Sequence, residues 1–288
     1  MYNASATIAA TLNSLVDQTY RNFNVILIDD ASTDNSLEIA DAYRTRLDIQ
    51  VLENPVNLGI SETRNKLLAN ISAPYVAILD HDDICHSTRL GRQLDFLQTH
   101  PDVDICGSAI TYFTADTDIA TASNVLCHPA DDAAIKTTFI HHTAMVHPSA
   151  MAKRSFFADV GEYNAQYSPA EDYDLWCRAA LVGKKFANIE DSLLYYRVHQ
   201  QQTSKVQAET MVRMDILIKK YYISGLLGGC PDESLAELLC PYLRHDHIAL
   251  ANAFPTLFPM LLKLYDSSPC KKTYANLVGK LLSNSIKL

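Results

Sequence analysis

Two regimes of apolar patterning divide the chain near residue 205. Before it, short apolar runs alternate with helically spaced segments; after it, only helical spacing remains. Ile8, Leu12, Leu15 and Val16 recur at helical spacing, and "FNVILIDD" then reads as a short buried strand that ends in acids. "STDNSLEIADAYRTR" opens with capping residues and sets Leu37, Ala40 and Tyr43 on one face, after which "IQVLEN" reads as the next strand. The loop "NPVNLG" leads into helical "SETRNKLLAN", a strand over residues 75 to 79, helical "STRLGRQLDFLQTH" and a further strand in "VDICGSAITYF". Strands alternating with helices predict an α/β fold with a mainly parallel, Rossmann-like sheet and helices on both faces. Ligands of such sheets bind outside the carboxyl ends of the strands. Asp29 and Asp30, and the cluster Asp80, Asp82 and Asp83, fall at that edge.

The second regime holds "QAETMVRMDILIKKYYISGLL", "DESLAELLCPYL", "HIALANAFPTLFPMLLKLY" and "YANLVGKLLSNSIKL", without strand signal or repeat. The expected organisation is a catalytic domain over residues 1–205 and a helical extension over 206–288. Packing on the catalytic domain, or on a second copy as a homodimer, is the expected work of the extension. The lysines beside Leu277, Val278, Leu281 and Leu282 leave peripheral membrane contact open.

Charge and cysteines narrow the class. With 24 basic against 33 acidic residues the formal charge is -9, which argues against a nucleic-acid binder that neutralises phosphates. An acidic protein that handles an anionic substrate needs local help, most simply a metal ion. The seven cysteines are scattered and never form a CxxC pair, a pattern of reduced thiols in a cytoplasmic protein. No signal peptide reads from "MYNASATIAATLNS", and no run approaches the ~20 apolar residues of a membrane span.

Asp80 and Asp82 stand one residue apart just past a strand, so a loop can turn both carboxylates to one point, where hard oxygen ligands suit Mg²⁺ or Mn²⁺. Three acids this close repel unless something neutralises or screens them. A solvated turn, with Asp83 or Ser87 capping the next helix, is the alternative; the position after a buried strand, opposite a second acidic strand end, favours the site. Asp30 can accept a hydrogen bond from a nucleobase N–H. "SPAEDYDLWCRAALVGKKF" places Glu171, Asp172 and Asp174 in a helical first turn, where the dipole favours ionised acids and a general base can reside. His199 follows an aromatic, strand-like run, and alone would not stand out. His141, His142 and His147 fit pocket lining or plain structure better than a metal site.

Taken in order, "YNASATIAATLNSLVDQTY", "NVILIDDASTDNS", "NLGISETRNKLL", "PYVAILDHDDI", "HPSAMAKRSFFADVGEYN", "AEDYDLWCRA" and "LLYYRVHQQQTS" resemble the inverting family 2 glycosyltransferases over residues 2 to 204. The resemblance implies an A-type glycosyltransferase fold and a metal-dependent transferase that moves a sugar from a nucleoside-diphosphate donor, foremost a UDP-sugar, to a hydroxyl of a carbohydrate or lipid-linked acceptor. Polysaccharide or glycoconjugate synthesis at the cytoplasmic face of a membrane is the setting it implies. Within it, Asp30 binds the base, Arg64 lies near the nucleotide and Asp80 near the ribose. Asp82 and His199 hold Mn²⁺ or Mg²⁺, Asp172 deprotonates the acceptor, and Glu171, Trp176 and Tyr163 shape the acceptor side. The family normally begins with an apolar strand before "YN", whereas this chain starts at "MYN". The expectation is a native start upstream of Met1; the alternative is a catalytically weak nucleotide-sugar-binding module. A sugar-nucleotide pyrophosphorylase is disfavoured by the lack of a glycine-rich basic loop near the start. A haloacid-dehalogenase-like phosphatase is disfavoured because "LDHDDI" lacks the expected Thr or Val after its second acid.

Overall fold

A computed structural model of the chain describes residues 1–114, 119–200, 202–229, 233–240 and 247–285. Cys230, the ends of the predicted helical segment at 232–243, and residues 286–288 lie outside them. Helix α1 (Ile8–Val16), strand β1 (Val25–Asp29), α2 (Ser36–Asp41), β2 (Ile49–Glu53), α3 (Ile60–Ala69) and β3 (Tyr75–Ala77) follow the predicted alternation. Then come β4 (Ile84–Cys85), α4 (Arg89–Thr99), β5 (Ile105–Phe113), β6 (Asn124–Leu126), α5 (Asp132–Thr138), β7 (Met151–Lys153), α6 (Arg154–Val160), α7 (Glu171–Leu181) and β8 (Phe186–Arg197). Helices α8 (Thr203–Val206), α9 (Ala208–Leu227), α10 (Glu233–Leu238), α11 (His247–Ser267) and α12 (Lys271–Ser285) follow.

The α/β architecture is as predicted, with a mixed rather than a mainly parallel pairing. β1 and β2 pair in parallel, as do β5 and β8, while β3–β7, β5–β7, β4–β8 and β5–β6 are antiparallel. The larger sheet runs β3-β7-β5-β8-β4, with β6 beside β5. Strands of two or three residues such as β4, β6 and β7 are too short to show periodicity, so the sequence does not announce the antiparallel edges.

β1 and β2 form a separate two-stranded sheet among the described residues. Its open side receives only the chain's beginning: the Met1 amino group donates to the Ile28 carbonyl at 2.6 Å, and the Met1 carbonyl accepts from Asp30 N–H at 2.8 Å. Residue 1 thus bonds to β1 as one more strand residue would. β1 (Val25 to Ile28) and β3 (Tyr75 to Ala77) both line one cavity of about 2190 Å³.

Helix α1 closes this side because Ile8, Leu12 and Leu15 bury its apolar face. Each such side chain, fully buried, contributes roughly 1.5–3 kcal/mol. The C-terminal helices join the catalytic core directly: Ile218, Tyr222, Leu235, Leu257, Leu261 and Leu264 belong to the same apolar cluster as Phe139, Trp176 and Phe186. Polar contacts fix the seam, with Tyr222 Oη donating to the Lys136 carbonyl at 2.9 Å and Cys270 N–H donating to Thr137 Oγ1 at 2.9 Å. Helix α5, which receives these contacts, is capped by Asp131, whose Oδ1 accepts from Ala134 N–H at 2.9 Å. Asp131→Ala is expected to cost about 1 kcal/mol, read as a lower denaturation midpoint; an unchanged midpoint would show that the cap is dispensable.

Candidate active site

The loop that leaves β3 carries Asp80, His81, Asp82 and Asp83, and α1 holds it from below. Thr11 Oγ1 lies within hydrogen-bonding distance of the His81 and Asp83 carbonyls, at 2.9 and 2.8 Å, and Gln18 Nε2 donates to the His86 carbonyl at 2.8 Å. The predicted repulsion among the three acids is relieved separately for each. Arg64 Nη2 pairs with Asp80 at 3.2 Å, and His199 Nε2 meets Asp82 Oδ2 at 2.8 Å. Asp83 is not the solvated turn or capping residue expected: it is 1% exposed and accepts from the Arg197 N–H at 2.9 Å, which pins the end of β8. Burial, then the neighbouring Asp82 and Asp80, push its carboxyl well above the usual range.

β8 delivers two more groups to this loop. Arg197 Nε donates to the Asp82 carbonyl at 2.7 Å while its guanidinium lies 4.5 Å over the Phe113 ring, and His199 follows two residues later. Sequence reading passed over Arg197, although its place two residues before His199 in "YYRVHQQ" was the available signal.

At the β1 end, Asp30 lies in a nest formed by the loop before α3. Its Oδ1 accepts from Asn54 Nδ2 at 2.7 Å and Leu58 N–H at 2.9 Å, and its Oδ2 from Gly59 N–H at 2.9 Å. Burial raises its pKa, but these bonds, with Thr63, outweigh it and hold the carboxyl below its ordinary value. A carboxylate has about four acceptor sites. Asn54, Leu58 and Gly59 use three of them, and Thr63 is a further partner. Gly59 adopts φ +84, a left-handed conformation that glycine enters without strain, and this aims its N–H at Asp30. Asn54 is a second partner that sequence reading missed.

Arg64, from α3, spans the middle. It pairs with Glu171 through Nη1 and Asp80 through Nη2, and its guanidinium lies 5.6 Å over the Tyr163 ring. It therefore ties the strand-edge acids to the start of α7, a longer reach than the nucleotide contact expected of it. Burial disfavours its charge, but Asp80 and Glu171 more than compensate and raise its pKa. Tyr163 is stapled by Asn65, whose Oδ1 accepts from Tyr163 N–H at 2.8 Å, and its hydroxyl meets His147 Nε2 at 2.9 Å.

The first turn of α7 separates its acids into roles. Asp174 pairs with Arg178 at 2.8 Å, a local structural bridge. Glu171 is buried against Arg64. Asp172 is half-buried, lines the cavity, and accepts from the Tyr173 N–H. The helix start was expected to keep it ionised, but burial first and Glu171 second push its pKa up to about 6. Trp176 is the residue that the fold relocates. It is 0% exposed, packs against His147 and Phe156, and does not line the cavity, so its place is the core and not the acceptor surface.

Asp30, Arg64, Asp80, Asp82, Tyr163, Glu171, Asp172 and His199 all line the same 2190 Å³ cavity. Among the described residues no three His, Cys, Asp or Glu side chains converge as a closed metal cage. Asp82 and His199 are the pair that could offer two ligands to a hard divalent ion, whose shell substrate phosphates and water would complete. The histidines of residues 141 to 147 form no such cage either; His142 and His147 are held neutral by burial, each with pKa lowered to about 3.

Similar proteins fit this geometry. The chain is 30% identical over 203 residues to the putative glycosyltransferase EpsE of Bacillus subtilis, an alignment covering 69% of this chain and 70% of that one. It is 27% identical over 246 residues to the Escherichia coli UDP-Glc:alpha-D-GlcNAc-diphosphoundecaprenol beta-1,3-glucosyltransferase WfaP, covering 80% of this chain and 92% of that protein. Against the bifunctional glycosyltransferase pgtA of Dictyostelium discoideum the identity is 29%, and the match spans 83% of this chain but 36% of that one. The fold matches S. aureus TarS in complex with UDP-GlcNAc at a TM-score of 0.64 and 19% identity, covering 99% of this chain and 87% of that one. A mannosyltransferase from Pyrobaculum calidifontis, solved with GDP-Man and Mn2+, matches at a TM-score of 0.60 and 16% identity, covering all of this chain and 79% of that one. Residues 1–161, more than half of the chain, match the profile of Glycosyl transferase family 2, and the chain belongs to that family.

Proposed function

We propose that the protein is an inverting, metal-dependent glycosyltransferase that moves a sugar from a nucleoside-diphosphate donor, foremost a UDP-sugar, to a hydroxyl of a carbohydrate or lipid-linked acceptor. Residues 1–205 are the catalytic unit in this reading, and 206–288 the helical extension that braces it. The observation that carries it is that Asp30, the Asp82–His199 pair and the raised-pKa acid Asp172 all open on one cavity. The activity for which WfaP is named, glucosyl transfer to a diphosphoundecaprenol-linked sugar, supports a lipid-linked acceptor. Among the described residues no helix is long and apolar enough to cross a membrane. We place the enzyme at the cytoplasmic face, in polysaccharide or glycoconjugate synthesis.

Each residue has a defined task. Asp30 accepts from the base, and Asp80, held by Arg64, lies at the ribose side. Asp82 and His199 would hold Mn²⁺ or Mg²⁺, which would supply charge neutralisation for the departing diphosphate. Asp172 removes the proton of the acceptor hydroxyl as that oxygen bonds to the anomeric carbon from the face opposite the leaving group. One displacement of this kind inverts the anomeric centre. A base with a pKa of about 6 is ionised at neutral pH and still basic enough to take a proton. Glu171 and Tyr163 position Arg64 and the acceptor wall.

A thermal-shift screen with UDP-, GDP- and dTDP-sugars, with and without Mn²⁺, tests the donor side. One donor class should stabilise the protein by about 2.7 kcal/mol at 100 times its Kd, and only when metal is present. Asp82→Asn should remove the metal-dependent part; stabilisation independent of metal and of Asp82 would exclude the assignment. The second reading is a module that binds the donor without turnover. Release of nucleoside diphosphate supports the enzyme, and binding without release supports the inert module.

A further inference from the structure

Helices α11 and α12 present an apolar face that packing on the catalytic core does not use. Leu257, Leu261 and Leu264 of α11 point into that core and are buried. On other sides of the same helix, Phe258, Leu262 and Tyr265 are 45%, 49% and 38% exposed. With Ala275 and Val278 of α12 they line a shallow apolar cavity of about 290 Å³ between the two helices. Large aromatic and aliphatic side chains left open side by side mark an interaction surface more often than chance.

Charge narrows what the surface meets. The chain as a whole carries -9, yet residues 256 to 285 hold four lysines, Lys263, Lys271, Lys272 and Lys280, against the single acid Asp266. All four lysines are exposed. The basic excess therefore sits on the two helices that carry the apolar face, in a protein that is otherwise acidic. A second copy of the chain would bring the same positive set against itself across a two-fold axis, and like charges at an interface cost affinity. An anionic lipid surface complements both properties at once: acyl chains meet Phe258, Leu262 and Tyr265 while headgroup phosphates meet the lysines, the arrangement of an interfacial helix.

We propose that the α11–α12 face docks the protein on anionic membranes. The purpose, presentation of the cavity to a lipid-linked acceptor, rests on the function proposed above; the docking does not. Exposed helical residues, rather than a membrane span, make the attachment reversible and sensitive to salt.

Sedimentation of the full chain with phosphatidylcholine vesicles, and with vesicles in which about a third of the lipid is phosphatidylglycerol, tests it. Binding should be strong to the second and weak to the first, and should fall as salt rises. Lys263→Gln and Lys272→Gln should each weaken binding roughly fivefold, from about 1 kcal/mol per basic residue near an anionic surface. Phe258→Ser with Leu262→Ser should abolish it with the melting temperature and nucleotide binding retained. Equal binding to both vesicles, no binding to either, or unchanged binding by these variants overturns the proposal. So does a dimer in sedimentation velocity that Leu262→Ser dissociates in a protein that ignores vesicles, since the face then belongs to a second copy. Donor binding is measured in the same samples. Donor binding without vesicle binding removes the docking alone, and vesicle binding without donor binding removes the proposed transferase reading alone.

Discussion

Replacing Asp172 by Asn should lower transfer by ~10²–10⁴ while leaving donor binding in place, because a positioned base contributes about that much. The amide keeps the shape of the carboxylate and its contact with the Tyr173 N–H geometry, but it cannot take a proton. In the wild-type enzyme the rate should climb with pH through about 6, where Asp172 ionises, and level off above. The same shift has a stability consequence. A folded-state pKa raised from 3.8 to about 6 means that the neutral acid is favoured in the folded protein, so the contribution is lost as pH rises through that window. The Asn variant carries no charge to bury, and at pH 7 it should melt no lower than the wild type. Turnover near the wild-type rate in the variant would remove Asp172 from the role of base.

Arg64→Met should destabilise the fold by roughly 3–5 kcal/mol, the usual loss when one partner of a buried ion pair is removed. The Arg64 side chain is 13% exposed and its partner Glu171 only 2%. Without the guanidinium, the buried Glu171 carboxylate is left without its ion-pair partner. Adding Glu171→Gln should recover much of the loss, since the uncompensated charge is then gone. Arg64→Lys is not equivalent, because a compact ammonium lacks the planar fork that reaches Asp80 and Glu171 together. A denaturant midpoint unchanged in Arg64→Met would show that the bridge carries no weight in the folded enzyme.

The residues that sequence reading placed well are those whose signal is local. Helical spacing in α1, α3, α4 and α9, and apolar runs in β1, β2 and β5, were legible because periodicity and burial coincide within one element. What escaped it depends on partners distant in the chain. Asp83 looks like a solvated turn until β8 returns 114 residues later with the Arg197 N–H. Arg64 gives no hint of Glu171, 107 residues away. His199 became notable through the family resemblance, not through any pattern of its own, and it now meets Asp82 across 117 residues. Trp176 shows a different limit. It lies one helical turn beyond Asp172 on α7, about 6 Å further along the axis, and that distance carries it from the cavity wall to a position behind His147 and Phe156. The antiparallel pairings of β3, β4, β6 and β7 escaped because strands of two or three residues hold no period to read.

The central claim is that Asp30, Asp82 and His199 clasp one nucleotide at the mouth of this cavity. Anomalous X-ray scattering from crystals grown with UDP and Mn²⁺ tests it most directly. The account predicts a manganese peak in contact with Asp82 Oδ2 and His199 Nε2, with the diphosphate completing the shell and the uracil N–H on Asp30. A manganese peak away from Asp82 and His199, or UDP bound away from Asp30 and Asp82, would contradict it.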